Sequence, residues 1–298
     1  MALYQGERFV QAQLDSIAAQ TGVAWDLVVS DDGSDDGGPR IIGEFARAFP
    51  GRVTLRSGPG QGAVANFRAL ILDAGCAEYV ALADQDDVWC AEKLSRAVAA
   101  LAAVPDNTAA LYCSRVQICD AQLRCVGLSR MPQRAASFNH ALVQNLVQGN
   151  TVVLNRPALD LVQGALRLTD RIVMHDWFIY QIVAGAGGTV IYDPRPTLRY
   201  RQHDNNVVGA NDGWRARFTS LGRMLQGHHS RWSRQTIIAL TASAGLLTPD
   251  NRALLGVFER LVSGSIAQRI RAMWVGRFYR QGALSQIALW LAAMIGRV

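Results

Sequence analysis

Cysteine is scarce in this sequence, and its spacing is unpaired. The chain of 298 residues contains five cysteines, at positions 76, 90, 113, 119 and 125, and no CxxC pair. An odd number without paired spacing argues against a disulfide framework and against a zinc site. We therefore expect a protein of a reducing compartment and place it in the cytoplasm.

Long apolar runs are missing as well. No stretch of about 18 residues is apolar throughout, so the sequence predicts no membrane-spanning helix. The first residues, MALYQGERFVQAQL, lack the apolar centre of a secretory signal. The most apolar segment, residues 283–295, is too short to cross a bilayer.

Charge is modest and mostly basic. Charged residues make up 18% of the chain and hydrophobic residues 50%, a composition typical of a folded globular protein. The formal net charge is +6, and arginine is far more common than lysine. A basic surface suits a nucleotide, a nucleic acid or an anionic lipid, and charge alone does not choose among them.

Strand and helix patterns alternate through the first part of the chain. Apolar runs predict strands ending near residues 31, 57, 84, 120 and 155, and helical spacing predicts helices at 39–49, 63–74 and 91–104. This alternation predicts an α/β fold with a largely parallel sheet, whose ligands bind at the carboxyl ends of strands. A helical pattern begins at residue 7 with no strand before it, and beyond residue 206 only helical patterns remain. We therefore expect an α/β domain at 1–206 and a helical region at 207–298.

The segment ALADQDDVW ends an apolar strand in three carboxylates. Asp84 and Asp86 alternate, so in an extended chain both point to the same side and can face one hard cation. Mg²⁺ or Mn²⁺ accepts oxygen ligands and keeps positions open for phosphate oxygens. The alternative is a surface turn in which Asp86 or Asp87 caps the following helix. The residues alone leave both interpretations open.

Three further segments carry candidate site residues. In SDDGSDD, Asp31 and Asp32 follow a strand and can contact a nucleotide, or can serve only to shape the turn. In MHDW, Asp176 opens an apolar helix, either as a general base or as a helix cap. In LRYRQHDNNVVG, Arg201 can bind a diphosphate, and His203 can bind a metal or phosphate or be a satisfied hinge residue.

These segments, in this order, resemble those of bacterial family 2 glycosyltransferases. The similarity covers about residues 1–209 and is carried by YQGERFVQAQLDSIAAQT, VSDDGSDD, GQGAVANFRALI, YVALADQDDVW, LVQGNTVVLNR, MHDWF and YRQHDNNVVG. The DQDDxW, MHDW and YRQHxNNVVG segments are most similar to those of rhamnosyltransferase-like members. The resemblance implies a GT-A fold, which is a Rossmann-like α/β domain that binds a nucleotide-diphospho-sugar.

The resemblance also implies a role for each candidate residue. The nucleotide-sugar-binding residues are expected to be Asp31, Asp32, Asp84, Arg201 and His203, and the metal ligands Asp84, Asp86 and His203. Asp31 and Asp32 would lie at the nucleobase and ribose, and Asp86 would be the closer ligand of Mg²⁺ or Mn²⁺. Asp176 is expected to be the catalytic base.

The implied activity is an inverting, metal-dependent glycosyl transfer. The first expected donor is dTDP-L-rhamnose, and the acceptor is a growing cell-surface polysaccharide or a polyprenyl-diphosphate-linked glycan at the inner face of the cell membrane. The alternatives are a family 2 transferase that uses a UDP- or GDP-hexose, and an inactive protein that binds a nucleotide sugar. No nucleic-acid partner is expected.

The sequence departs from the family pattern at two places. Relatives have a strand that runs into the segment matching MALYQGE, and Met1 lies inside that match, so we expect the gene to encode a strand upstream. Residues 63–65 are Ala, Val and Ala where relatives often carry a basic residue. One contact with the donor is therefore expected to be missing.

The C-terminal helical patterns combine arginine with large apolar residues. The arginines are Arg269, Arg271, Arg277 and Arg280, and the apolar residues include Met273, Trp274, Phe278 and Tyr279. Such a mixture favours a helix that lies in the headgroup region of a membrane. Ordinary packing against the α/β domain is the alternative.

Overall fold

A computed structural model describes residues 1–203 and 228–298 of the chain. Its first sheet has three parallel strands in the order β1-β2-β3, with helices between them. These elements are β1 Ala2–Leu3, α1 Val10–Ala18, β2 Leu27–Asp31, α2 Gly38–Ala48 and β3 Val53–Ser57. Parallel neighbours need such crossovers, because the chain must return to the same end of the sheet.

Strand β1 corrects the expectation that no strand precedes the first helix. Ala2 pairs with Ser30 and Leu3 with Asp31, both in parallel register. Leu3 is fully buried, so the short strand also contributes to the core. Two residues are too few to produce a recognisable strand pattern, which is why the sequence did not predict β1.

The second sheet has six strands, and its defined pairings are antiparallel. The strands are β4 Tyr79–Ala81, β5 Val88–Trp89, β6 Ala110–Cys119, β7 Cys125–Leu128, β8 Val153–Asn155 and β9 Thr189–Arg201. Their order is β4-β8-β6-β9-β5, with β7 beside β6. The pairs β4–β8, β6–β8, β6–β7 and β5–β9 run antiparallel. The predicted α/β fold with a parallel sheet is confirmed, and the parallel pairs defined in the described residues lie in the first sheet.

Some of the remaining helices begin after a residue whose side chain caps the first turn. The remaining helices are α3 Ala63–Leu72, α4 Lys93–Ala102, α5 Phe138–Ala141, α6 Arg156–Leu168, α7 His175–Gly185, α8 His228–Ala242, α9 Pro249–Ser263, α10 Ile266–Gly276 and α11 Ala283–Ile295. Thr248 caps α9, and Ser265 forms a capping box with Gln268 at the start of α10. In the described part of the chain, no helix is both long and apolar enough to cross a membrane.

Packing divides the chain into two compact units that interleave along the sequence. The described residues of the first unit are Met1–Arg130, Val147–Leu159 and 191–203, and those of the second are Met131–Leu146, Asp160–Val190 and 228–298. Each of the predicted domains, 1–206 and 207–298, is instead one continuous stretch of sequence. Their boundary lies outside the described residues, and the domain assignment stays a prediction.

An apolar cluster in the first unit fixes the register of the first sheet. Leu3, Val10, Leu14 and Val29 are fully buried within it. Side chains alternate along β2, so Val29 points into the cluster while Val28 is exposed. A shift by one residue would expose Val29, and the strand ends that carry the acidic turns are therefore held in place.

Candidate active site

The DQDD turn follows the buried residues Leu82 and Ala83 at the end of β4. Oδ2 of Asp86 lies 2.8 Å from Nε2 of His203. The His203 ring stacks on Phe9, with ring centroids 4.7 Å apart. The structure therefore brings together two of the predicted metal ligands, which are 117 residues apart in the sequence.

Asp84 and Gln85, which precede Asp86 in the turn, have different surroundings. Asp84 is partly buried, and its charge contributes to raising the pKa of Asp87. Gln85 pairs reciprocally with Tyr4: the Tyr4 amide donates to Oε1 of Gln85, and Nε2 of Gln85 donates to the Tyr4 carbonyl, both at 2.7 Å. The glutamine thus ties the turn to the segment that follows β1.

Asp87 is fully buried and is not a helix cap. Nδ2 of Asn150 donates to it at 2.6 Å, and the Arg201 amide donates at 3.3 Å. Burial, followed by the charges of the neighbouring aspartates, raises its pKa well above the usual value. Helix α4 has Glu92 at its N-cap and no side-chain cap, so the alternative that Asp86 or Asp87 caps this helix is wrong.

Lys93 lies beside this turn with its side chain fully buried. Its ammonium donates to the Asn150 carbonyl at 2.9 Å and lies 4.2 Å from the centre of the Trp89 ring. Burial lowers the pKa of Lys93 to about 7, against an opposing effect of Asp87. Sequence reasoning missed Lys93 and Asn150, although Lys93 is the only lysine in the chain.

Arg201 is buried and donates to main-chain carbonyls. Its Nε donates to the Asp86 carbonyl at 2.8 Å and its Nη1 to the Ala121 carbonyl at 2.7 Å. The guanidinium also lies over Phe9, 4.5 Å from the ring centre. Arg201 therefore braces the turn at Asp86, and its predicted contact with a diphosphate stays a prediction.

The SDDGSDD turn uses its carboxylates on its own backbone and on a nearby loop. Oδ1 of Asp31 accepts from the Ser34 hydroxyl at 2.6 Å. Asp32 is buried, and its two oxygens accept from the amides of Gly60 and Gly62 at 2.8 and 2.6 Å. The turn-shaping interpretation is therefore present in the structure, and the nucleotide contacts of Asp31 and Asp32 stay predictions.

Glycine is required at the base of that loop. A Cβ at Gly58 would lie 2.9 Å from Oδ1 of Asp32 and 2.9 Å from Oδ1 of Asn66. Gly60 and Gly62 both have positive φ, at 67° and 87°. The loop can thus approach Asp32 closely because it lacks side chains at these positions.

Asp176 lies in the first turn of α7, in the second unit. It is buried, with Oδ2 accepting from Nδ2 of Asn145 at 3.1 Å and Oδ1 from the Trp177 amide at 2.7 Å. The N-cap of this helix is Met174, so Asp176 does not hold the predicted cap position. Trp177 is buried and donates from Nε1 to the Ala141 carbonyl at 2.6 Å, so its ring packs in the protein interior.

The mixed α/β architecture, with a parallel sheet and acidic turns at strand ends, is that of a GT-A glycosyltransferase. Residues 1–156 match the family described as glycosyl transferase family 2, and the chain belongs to that family. A solved mannosyltransferase from Pyrobaculum calidifontis, in complex with GDP-Man and Mn²⁺, has the same fold with a TM-score of 0.52 and 18% identity. The alignment covers 99% of this chain and 84% of that one.

Two characterised relatives have donors stated in their names. The dTDP-rhamnosyl transferase RfbG of Shigella flexneri is 29% identical over 291 residues, which cover 95% of each chain. The UDP-Glc:alpha-D-GlcNAc-diphosphoundecaprenol beta-1,3-glucosyltransferase WfgD of Escherichia coli is 28% identical over 160 residues. That match covers 54% of this chain and 60% of WfgD.

Proposed function

We propose that this glycosyltransferase moves a sugar, with inversion and with a divalent metal, from a nucleotide-diphosphate donor. The observation that carries the proposal is the Asp86–His203 pair at the acidic strand end, 2.8 Å apart. A carboxylate and an imidazole at this distance can together bind a cation, and the cation can bind and neutralise the diphosphate of the donor. Asp31, Asp32 and Asp84 are proposed to contact the nucleotide sugar, and Arg201 to brace the diphosphate end of that site.

The proposed ligands suit a cation that takes most of its ligands from the donor. Across residues 1–203 and 228–298, no group of three or more His, Cys, Asp or Glu side chains is arranged to hold a metal. Mg²⁺ in phosphate chemistry commonly uses one or two carboxylates and completes its shell with phosphate oxygens and water. Asp86 and His203 supply such a small set, and Asp84, the third expected ligand, is not arranged with them around one position. When bound, the metal would offset the negative charge that develops on the leaving diphosphate.

Asp176 is proposed as the general base. Its bonds from Asn145 and the Trp177 amide fix the plane of the carboxylate, and each oxygen still has acceptor capacity. The acceptor hydroxyl gives its proton to Asp176 as its oxygen bonds to the anomeric carbon, and the bond from that carbon to the nucleoside diphosphate breaks. One displacement inverts the anomeric configuration.

The first proposed donor is dTDP-L-rhamnose, supported by the similarity to RfbG along nearly the whole chain. A UDP-hexose is the second candidate, because WfgD is also a relative. A panel of dTDP-, UDP- and GDP-sugars should be assayed for donor hydrolysis with Mn²⁺, with Mg²⁺ and with a chelator. We expect turnover of dTDP-rhamnose that the chelator abolishes. Turnover of another donor would reassign the sugar, and nucleotide binding without turnover of any donor would favour an inactive binding protein.

We also propose that helices α10 and α11 contact the anionic surface of a membrane, where a lipid-linked glycan acceptor would lie. Both helices expose rows of large apolar side chains: Ile266, Ile270 and Trp274 on α10, and Leu284, Ile287, Leu291 and Met294 on α11. Trp274 is 72% exposed, and its ring contacts Trp290, so the two rows lie on neighbouring helices. We name these seven residues the apolar rows.

Charge favours a lipid surface over another protein as the partner of the apolar rows. Residues 260–298 include six arginines and no aspartate, glutamate or lysine. Arg271 and Arg277 are exposed among them. Exposed apolar side chains in a segment whose charged residues are all basic suit anionic headgroups. Three residues expected at the membrane, Met273, Phe278 and Tyr279, are buried and belong to the packing of this unit instead.

Vesicle binding tests this partner. The chain should co-sediment with vesicles of phosphatidylglycerol and phosphatidylcholine, and added salt should weaken binding because it screens the arginines. Ile287→Asp with Leu291→Asp should reduce binding about tenfold or more, since charged side chains would enter the interface. Val126→Asp, at an exposed apolar position of the first unit, is the matched control and should bind as the parent does.

Other outcomes would overturn the membrane contact. If the parent does not bind anionic vesicles at low salt, or the double variant binds equally well, the apolar rows are not a lipid surface. If the double variant instead changes the mass measured by sedimentation equilibrium, they join two copies of the chain. Donor hydrolysis by the same variants separates this question from the proposed transfer reaction.

A further inference from the structure

Lys93 stands out in both the sequence and the structure. The chain has 30 lysine and arginine residues, and Lys93 is the only lysine among them. Its side chain is also fully buried. Lysine carries its charge on a compact ammonium group, whereas the planar guanidinium of arginine is larger and presents donors in a fixed fork. A chain that uses arginine everywhere else therefore has a position where a compact buried cation is needed.

The contacts of Lys93 lead to the acidic turn through Asn150. The ammonium donates to the Asn150 carbonyl at 2.9 Å, and Nδ2 of the same asparagine donates to Oδ2 of Asp87 at 2.6 Å. Trp89 covers the ammonium with its ring, 4.2 Å from the ring centre to Nζ. Asn150 thus accepts a hydrogen bond from Lys93 at its carbonyl and donates one from its side chain to the buried Asp87 carboxylate.

Asp87 connects this network to the Asp86–His203 pair. The Arg201 amide donates to Oδ1 of Asp87 at 3.3 Å, and Nε of Arg201 donates to the Asp86 carbonyl at 2.8 Å. His203 follows Arg201 by two residues and meets the Asp86 carboxylate. Arg201 therefore connects Asp87 with the main chain at Asp86 and with the segment that leads to His203.

We propose that Lys93 is a positioning residue that raises the affinity of the Asp86–His203 pair for a metal-bound nucleoside diphosphate. Lys93 places a positive charge behind the carboxylates of the turn and keeps Asn150 and Asp87 in their present contacts. Without the ammonium group, Asn150 would lose the hydrogen bond that its carbonyl accepts, and the hydrogen bonds that Asn150 and Arg201 donate to Asp87 would change. This inference rests on the proposed metal-dependent donor binding and assigns no direct contact with substrate to Lys93.

A neutral replacement separates the charge of Lys93 from its volume. Methionine is similar in length and apolar, so Lys93→Met fills the space without the charge. Calorimetry of dTDP and UDP binding over a range of Mn²⁺ concentrations gives the metal requirement of each variant. Loss of a residue that supports a metal ligand typically lowers metal affinity on the order of 10- to 100-fold. We expect a rise of that size in the Mn²⁺ requirement of Lys93→Met, with a smaller change in kcat at saturating metal.

Two further variants separate positioning from general stability. Leu101→Ala removes a buried side chain from the same helix, α4, away from the turn, and should lower the melting temperature without changing the metal requirement. Asn150→Ala keeps the carbonyl that binds Lys93 but removes the donor to Asp87. We expect it to raise the metal requirement as Lys93→Met does, and it serves as the test if the lysine variant does not fold.

The single lysine also permits a direct readout in the parent protein. Labelling with lysine carrying ¹³C at Cε gives one side-chain signal, assigned without ambiguity by its loss in Lys93→Met. We expect this signal to shift when dTDP or UDP is added with Mg²⁺. If the signal stays unchanged and Lys93→Met and Leu101→Ala have the same metal requirement as the parent, Lys93 is only a structural residue. If the parent itself binds nucleotide equally with and without metal, the proposed metal dependence fails, and this inference with it.

Discussion

The two acidic turns, SDDGSDD and DQDD, look alike in sequence and are used differently in the structure. In SDDGSDD the carboxylates of Asp31 and Asp32 accept mainly from a neighbouring hydroxyl and from loop amides. In DQDD the carboxylate of Asp86 meets a histidine side chain, and that of Asp87 meets an asparagine side chain. Backbone amides are fixed in place by the fold, whereas a histidine side chain can move aside when a ligand binds.

This difference teaches where to look for chemistry among similar motifs. A carboxylate whose partners are amides of its own fold shapes the chain, and a ligand can use only the acceptor capacity that those hydrogen bonds leave. A carboxylate whose partner is a titratable side chain, with a buried lysine nearby, is a candidate for binding a ligand or for chemistry. Four substitutions test this contrast.

The largest expected effect is that of Asp86→Ala. Loss of the proposed metal ligand should lower kcat/KM by on the order of 10³ and abolish the dependence of nucleotide binding on Mn²⁺. The melting temperature should change little, because the side chain lies at a strand end outside the core. Asp35→Ala in the other turn, where an exposed carboxylate accepts only from Nε2 of Gln5 among the contacts described here, is the control. Equal activity of the two variants would remove the contrast between the turns.

Asp176→Asn is expected to have the next largest effect. Its carboxylate accepts hydrogen bonds both from a side chain, that of Asn145, and from a backbone amide, that of Trp177. The amide of the new side chain keeps the shape but cannot accept a proton, so kcat should fall by roughly 10² or more. The donor KM should stay near that of the parent, since Asp176 is proposed to act on the acceptor. Steady-state kinetics with the identified donor measures both values. An unchanged kcat would make Asp176 a structural residue.

Lys93→Met addresses the buried amine beside the DQDD turn. Loss of the ammonium group leaves the buried Asn150 carbonyl without its donor, which should cost about 1–3 kcal/mol of stability. The pH dependence has a defined sign: the pKa of Lys93 is about 7 in the folded chain, below its unfolded value of about 10.4. The unfolded chain therefore binds more protons between these values, and the stability due to this group rises with pH there.

Urea unfolding of parent and Lys93→Met at several pH values measures that slope. The difference in unfolding free energy should grow in favour of the parent from pH 7 to pH 10, by at most about 1.4 kcal/mol per pH unit. Taking the difference cancels the groups whose pKa does not depend on Lys93. A difference that is flat or falls over this range would show that Lys93 is not held as a buried, partly neutral amine.

The smallest effect is expected for Asp32→Asn in the SDDGSDD turn. The new amide group would face a loop N–H where an oxygen now accepts, so the free energy of unfolding should fall by about 1–3 kcal/mol. The kcat at saturating donor should stay within about threefold, because the loop and not the reacting group is disturbed. Thermal unfolding and kinetics test the two parts separately. A loss of kcat as large as that of Asp86→Ala would put both turns in the same class.

The sequence predicted the fold well where patterns are local and poorly where they are not. The strands at Leu27–Asp31 and Val53–Ser57 and the helix at Lys93–Ala102 follow from apolar spacing. Strand β9 has no such signal, because Pro194 and Pro196 interrupt its pattern and only tertiary pairing defines it.

The same limit applies to the candidate site. Asp86 and His203 were found through motifs, but the pairing of Lys93 with Asn150 spans 57 residues and follows no spacing rule. Its one signal was compositional, since a single lysine occurs among many arginines. The C-terminal arginine pattern included buried residues such as Phe278, because the sequence does not show which face of a helix is covered. The membrane contact that this pattern favours stays a prediction.

The two hydrogen bonds that Asp32 accepts from the loop at residues 58–62 limit how this loop can vary in evolution. The two oxygens of Asp32 hold the amides of Gly60 and Gly62, while Pro59 and Gln61 are exposed and take no part in either bond. An insertion or deletion here would pull one amide out of reach, whereas a new side chain at position 59 or 61 leaves both bonds intact. Homologous loops should therefore differ in composition and keep a constant length, which makes positions 59 and 61 suitable for randomised libraries.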